Sequence, residues 1–281
     1  MGVLNLTPDS FSDGGQLGTV EAALERARDM ERDGADLLDL GAESTRPGGG
    51  VYGDGAATVP SDEERERLLP TLERLRAATE LPISVDTRKA AVAEAALTAG
   101  ADLINDVSAL GDPRMAGVVA SAGCPLVLMH SRGELGAMQR DIAFEDLLSE
   151  IVEELSAAVE RAVAAGIRRS SILVDPGIGF GKATDHNLSI LRHVQRLREL
   201  GRPILVGASR KSFLGRVTGR DAGDRLASSL AAAAWSATHG VEILRVHDVR
   251  ETVDLLRTLA AIERGTLAGD RAEAGEVGAA R

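Results

Sequence analysis

Apolar residues along this chain fall into eight short runs, at 3–6, 36–40, 83–85, 103–104, 125–129, 172–174, 204–206 and 243–246. None alternates cleanly between apolar and polar side chains, the pattern of parallel strands covered on both faces. Between them and after the last, apolar positions recur every three or four residues at 20–33, 62–78, 90–99, 113–122, 144–165, 187–200, 222–238 and 249–263. That is the spacing of helices with one buried stripe. Several of these stretches run into a glycine (Gly34, Gly100, Gly123, Gly166, Gly201, Gly240), the residue that forms a left-handed helix cap most easily. Eight βα repeats predict a single (β/α)8 TIM barrel over residues 1–265, and a length of 281 residues suits one such domain. Residues 266–281, a Gly, Ala and charge mixture without a period, are expected to form a disordered tail.

Polar side chains then cluster where each apolar run hands over to a helix: Asn5 to Asp9, Glu43 to Pro47, Asp86 to Lys89, Asn105-Asp106, Met129-His130, Asp175 to Lys182, Ser209 to Ser212 and Arg245 to Asp248. A barrel brings eight such strand ends to one mouth, so the pattern points to an enzyme with a single site there. Two connections, 5–19 and 42–61, exceed the usual length and are rich in Gly. Both are expected to be mobile loops that close over substrate.

Composition narrows the choice. The formal net charge of −11, with no basic stretch interleaved with aromatics, argues against a nucleic-acid partner. No run is apolar for long enough to span a membrane and the start carries no signal peptide, while Cys124, the only cysteine, excludes an internal disulfide. A cytoplasmic protein is expected. Only three of the 32 basic residues are lysines, Lys89, Lys182 and Lys211, and all three sit in strand-end clusters. Since Arg serves this chain elsewhere, these positions are expected to want a compact point charge. Three of the four Phe (Phe11, Phe180, Phe213) also lie at strand ends, where a ring can either face a flat ligand or plug the barrel mouth.

The run Asp175-Pro176-Gly177-Ile178-Gly179-Phe180-Gly181-Lys182 joins a carboxylate able to accept paired N–H bonds, glycines that admit close approach, and a lysine that adds positive charge. Gly207-Ala208-Ser209-Arg210-Lys211-Ser212-Phe213-Leu214-Gly215 and Arg245-Val246-His247-Asp248 follow the last two strands, the recurrent anion-binding corner of such barrels.

Together with Gly2-Val3-Leu4-Asn5-Leu6-Thr7-Pro8-Asp9-Ser10-Phe11-Ser12-Asp13-Gly14-Gly15, Gly41-Ala42-Glu43-Ser44-Thr45-Arg46-Pro47-Gly48, Ser84-Val85-Asp86-Thr87-Arg88-Lys89 and Ile104-Asn105-Asp106-Val107, these motifs closely resemble the dihydropteroate synthase family, in order from Gly2 to about Glu263. The resemblance implies condensation of 6-hydroxymethyl-7,8-dihydropterin diphosphate with p-aminobenzoate, with Mg²⁺ as cofactor, in a homodimer. It places Asp86, Asn105, Asp175, Lys211 and Met129 around the pterin, with Asp86, Asp175 and Lys211 as the catalytic groups. Asn5, Arg245 and His247 correspond to the diphosphate site, and Asn5 also to the metal. Thr45, Arg46, Pro47, Phe180 and Ser212 match the p-aminobenzoate pocket, with Asp9 and Phe11 on the closing first loop.

Elementary electrostatics agrees with that scheme: departing diphosphate leaves a cationic methylene that Asp86 and Asp175 can stabilise, while Mg²⁺, Arg245 and His247 neutralise the leaving group. Family members carry a short segment ahead of the first strand, whereas this chain opens on it, so Met1 is expected to be an internal or trimmed start. Met129-His130-Ser131-Arg132-Gly133 keeps the family's Met-His-x-x-Gly frame with a less usual Ser131. His130 is expected to be a structural hydrogen-bonding residue. Sulfonamide sensitivity is expected, because nothing is inserted in the two Gly-rich motifs. Two other readings stay open, a methyltetrahydrofolate-binding methyltransferase on a similar barrel and a pterin-binding paralogue without turnover.

Overall fold

In the computed structural model, residues 1–6, 20–43, 59–133 and 142–266 are described. Asp9, Phe11, Thr45, Arg46, Pro47 and residues 267–281 of the expected tail lie outside them. Strands β1 (Gly2–Asn5), β2 (Leu38–Gly41), β3 (Ile83–Asp86), β4 (Leu103–Asp106), β5 (Leu126–Met129) and β6 (Ile172–Asp175) form one parallel sheet in chain order. Strands β7 (Leu205–Val206) and β8 (Ile243–Leu244) pair with each other. Two bridges close the ring, Val174↔Ile204 between β6 and β7 and Gly2↔Val246 between β8 and β1. The barrel is therefore eight-stranded and parallel, as the pattern predicts.

Around it run α1 (Val20–Arg32), α2 (Ser61–Arg76), α3 (Ala90–Thr98), α4 (Met115–Ala122), α5 (Leu147–Ala164), α6 (Thr184–Arg192), α7 (Ser212–Thr218), α8 (Leu226–Thr238) and α9 (Val249–Arg264). Several boundaries depart from expectation. Helix α5 starts at Leu147, not at 144, because Asp146 accepts the Ser149 N–H at 3.2 Å and caps it. Phe144 instead packs its ring against His130 and His186. The expected helix 187–200 is α6 followed by a 3₁₀ stretch, Val194–Leu200. Helix α7, only seven residues long, occupies a segment read from sequence as loop.

Strand alternation explains why the site forms at one end. Leu38, Leu40, Ile83, Val85, Ile104, Leu126, Leu128, Ile172 and Val174 face outward into the main core, against helix residues such as Leu68, Leu72, Leu155 and Val159. Each such side chain contributes roughly 1.5–3 kcal/mol on burial. The intervening residues face the barrel axis. At the amino-terminal end these are apolar, with Met1, Leu103, Val127 and Leu205 forming a plug. At the carboxyl end the inward positions become Asn5, Asp86, Asn105, Met129 and Asp175, the last residues of their strands or next to it. Dry packing thus gives way to a polar floor within a few residues of strand.

Candidate active site

Backbone register alone brings much of this floor together. Asp86 lies beside Asn105 across β3 and β4, and Met129 beside Asp175 across β5 and β6. Asn5 pairs with Gly41, and Gly41 with Asp86. Because Gly41 has no side chain, the Asn5 amide oxygen and the Asp86 side chain share the space above it; a Cβ there would lie 3.9 Å from Asn5 Oδ1 and 3.5 Å from Asp86 Cβ.

Arg245 crosses the floor from the far side of the barrel. Its Nε donates to Asp39 Oδ2 at 2.6 Å and its Nη2 to Asp86 Oδ2 at 3.0 Å. Burial opposes its charge, but Asp39 and Asp86 together hold it more firmly protonated than a free guanidinium. Burial acts oppositely on Asp86, raising its pKa to about 7; Arg245 restrains the rise, but its charge is shared with Asp39, whose own charge adds to it. Asp175, also buried, is raised for the same reason against the opposing pull of Lys211 and the Gly177 N–H, which donates to its Oδ1 at 2.6 Å.

Lys211 enters from the β7–α7 turn. Its ammonium donates to the Ile178 carbonyl and stands 4.7 Å from the centre of the Phe180 ring. Burial brings its pKa down to about 8, with Asp175 working against that. Phe180 also packs with Val107 and Met129, so one apolar wall joins the ends of β4, β5 and β6. Ser212 opens α7 immediately after Lys211 and is half-buried. Phe213, by contrast, is core and faces no ligand.

His247 is a weak base in this setting. Burial, then the charges of Arg245 and Arg210, push its pKa down to about 3, so it is a neutral imidazole at physiological pH. In that state it can donate or accept a hydrogen bond. Its Nδ1 and backbone N–H both sit near Ser209 Oγ, at 3.1 and 3.2 Å.

The three lysines are placed differently, Lys182 and Lys89 within buried networks and Lys211 at the floor. Lys182 is 2% exposed and spends its ammonium on His130 Nδ1 (2.9 Å), the Phe180 carbonyl (2.8 Å) and the His130 carbonyl (3.3 Å). Burial lowers its pKa to about 7. It ties the β6–α6 turn to the end of β5, and adds no free charge to the mouth. His130 is buried between Lys182 and Glu154 Oε2, 3.0 Å from its Nε2, which fits the structural role expected of it. Lys89 pairs with Glu43 at 2.8 Å and with buried Glu64. Glu43 also takes Arg88 Nε at 3.0 Å and the Val59 N–H at 3.0 Å, so this network builds the wall beside the mouth.

Asp39 is absent from the residues that the strand-end pattern singles out, whereas Arg210 and Asp248 are among them. Arg210 pairs with Asp248 through Nε (3.1 Å) and Nη2 (2.5 Å), locking the turns after β7 and β8 together. Asp39 could have been found: a charge in the middle of an otherwise apolar strand, Leu37-Leu38-Asp39-Leu40, needs a buried partner.

Residues 1–247 match the family described as pterin binding enzyme. The chain is 41% identical over 266 residues to the dihydropteroate synthase of Synechocystis, covering 94% of this chain and 90% of that protein. It is 45% identical over 253 residues to a probable bifunctional folylpolyglutamate synthase/dihydropteroate synthase of Haloferax volcanii, covering 90% of this chain but only 29% of that protein. Among solved structures, Yersinia pestis dihydropteroate synthase with a sulfonamide drug superposes with a TM-score of 0.88 at 42% identity, over 94% of both chains. The Xanthomonas albilineans enzyme with 4-aminobenzoic acid gives 0.85 at 46% identity, over 94% of this chain and 92% of that one. In complex with 7,8-dihydropteroate the Xanthomonas enzyme gives 0.82 at 43%, with the same coverage. Barrel, floor and similarity agree, and this chain belongs to the dihydropteroate synthase family of pterin-binding enzymes.

Proposed function

We infer that the chain is a transferase that joins 6-hydroxymethyl-7,8-dihydropterin diphosphate to p-aminobenzoate, releasing diphosphate and 7,8-dihydropteroate. The observation that carries this is the meeting of Asp86, Asn105, Asp175, Lys211 and Arg245 on one floor, in a chain so similar to enzymes of that name. A flat heterocycle with an N–H-rich edge suits buried carboxylate and amide acceptors, and its ring oxygen suits Lys211. As the carbon–oxygen bond to diphosphate breaks, positive charge develops on the pterin methylene and ionised Asp86 and Asp175 oppose it. The arylamine nitrogen then forms the new bond and gives up a proton. An aromatic amine needs little base assistance, so positioning supplies most of the rate.

In this reading Asn5, Arg245 and neutral His247 contact the diphosphate. Phe180 and Ser212 belong to the p-aminobenzoate pocket with Thr45, Arg46 and Pro47, and Asp9 and Phe11 to the closing loop. Among the described residues no cluster of three carboxylate, His or Cys ligands exists, so a protein-only metal cage does not fit. The Asn5 amide oxygen does fit Mg²⁺ held chiefly by water and diphosphate oxygens. Bound there, Mg²⁺ would stabilise charge on the leaving group.

A homodimer is proposed on the same footing. Trp235 on α8 is 45% exposed and stacked on His239, with Leu226 on that helix and Leu188 on α6 also exposed. No described helix is long and apolar enough to cross a membrane. A cytoplasmic location is proposed from the unpaired Cys124. The test is a coupled assay for diphosphate release. Turnover must require both the pterin diphosphate and p-aminobenzoate; pterin binding without turnover would instead identify a catalytically silent paralogue.

A further inference from the structure

Asp39 is fully buried inside the barrel, two residues below Gly41 on β2 and level with Ser84 on β3. Its Oδ2 holds Arg245 Nε, while its Oδ1 has no partner among the described residues. The same is true of Ser84 Oγ beside it and of Asp86 Oδ1 and Asn105 Oδ1 on the floor. A buried ion pair is a poor means of stabilising a core, since an apolar pair of similar volume often does as well. This one needs a different explanation, and its geometry supplies one.

We propose that Asp39 is a positioning residue for the pterin site, acting through Arg245. It rests on the pterin-site reading above. The guanidinium fork is planar, and two of its edges are available to carboxylates. By taking Nε, Asp39 pins the inner end of the fork and allows Asp86 only a single bond through Nη2. The second oxygen of Asp86 is left to accept from a ligand, and the remaining Nη hydrogens are left to donate to one. Without Asp39, Arg245 would turn its whole fork onto Asp86 and close the acceptor. Gly207 flanks the arginine stem, with its ideal Cβ position 3.6 Å from both Cβ and Cδ of Arg245.

Asp39→Asn keeps the size of the side chain and removes its charge. In the full chain it is expected to raise KM for the pterin diphosphate about tenfold or more, the scale of one charged hydrogen bond, and to weaken calorimetric binding of that substrate equally. KM for p-aminobenzoate at saturating pterin diphosphate stays within about twofold. In an Arg245→Met background Asp39→Asn has no further effect, because the group it positions is gone. Wild-type constants in the single variant, or a full additional loss in the double variant, would overturn the proposal. If Asp39→Asn does not fold, ¹⁵N-arginine spectra of the wild-type chain decide it. A slowly exchanging Arg245 Nε–H, present with and without pterin diphosphate, supports the proposal, and a rapidly exchanging one refutes it. A wild-type enzyme that neither binds nor turns over the pterin would refute the functional reading instead.

Discussion

Gly177→Ala isolates how much of the activity depends on the placement of the β6–α6 turn. Gly177 has φ of +68°, a conformation that costs an L-residue roughly 1–2 kcal/mol. Its ideal Cβ would also fall inside the His130 carbonyl oxygen, 3.0 Å from the carbonyl carbon and 3.3 Å from Lys182 Nζ. Neither can yield cheaply, as the carbonyl is backbone at the end of β5 and the ammonium is held by three acceptors. The turn must therefore move by roughly 1 Å, adding about 1–3 kcal/mol of overpacking. Phe180 and the Ile178 carbonyl, which seat Lys211, move with it. A shift of that size at a reacting site costs about a hundredfold in rate. Gly201→Ala is the matched control: φ is +61° but nothing lies within 4 Å of its Cβ. It should lose the 1–2 kcal/mol of backbone strain, roughly 2–4 °C in Tm per kcal/mol, and no kcat/KM. Thermal unfolding and the diphosphate-release assay on both variants measure the two effects separately. If Gly177→Ala lost no more activity than Gly201→Ala, the turn would not be what places Lys211.

Lys211→Ala and Asp175→Ala should each lower kcat/KM at least about tenfold while circular dichroism stays native, since both groups end or follow strands and neither fills the core. Pterin diphosphate affinity should fall, by up to about tenfold per pH unit, as pH drops below 7, because Asp86 must shed a proton to accept from the ligand; titration calorimetry in two buffers should detect that release. Its folded pKa is raised above the unfolded value, so in the empty protein its contribution to stability is complete below about pH 3.8 and is lost as pH rises through 7. Calorimetry should show p-aminobenzoate binding only after pterin diphosphate with Mg²⁺; equal affinity for the empty enzyme would count against ordered assembly. A sulfonamide should raise the apparent KM for p-aminobenzoate and leave kcat unchanged, and an enzyme indifferent to excess drug would point to Ser131 and the second loop as the source of selectivity.

What could be read from the sequence followed the physics of each signal. Strands covered on both faces announce themselves as apolar runs, and the polar groups that end them were legible as Asn5, Asp86, Asn105 and Asp175. Direction was not legible. Lys182 and Lys211 look equivalent in the chain, yet one points beneath its turn to three buried acceptors and the other across the floor. Charge state was hidden too, because the proton affinity of His247 is set by burial and by two arginines, one of them 37 residues earlier in the chain. Helix α7 has too few turns to establish a period. Asp39 was visible as an anomaly, but its partner, 206 residues away, was not.

The ring of strands has a seam. Six strands share one continuous ladder, whereas β7 and β8 join it by a single bridge on each side. Those two strands deliver Lys211 and Arg245, and the ladder delivers Asp86, Asn105 and Asp175. Any molecule held by both groups is therefore also a rivet across the least-paired part of the wall. A ligand that spans the seam therefore stiffens the wall as it binds, and that stiffening draws on its affinity.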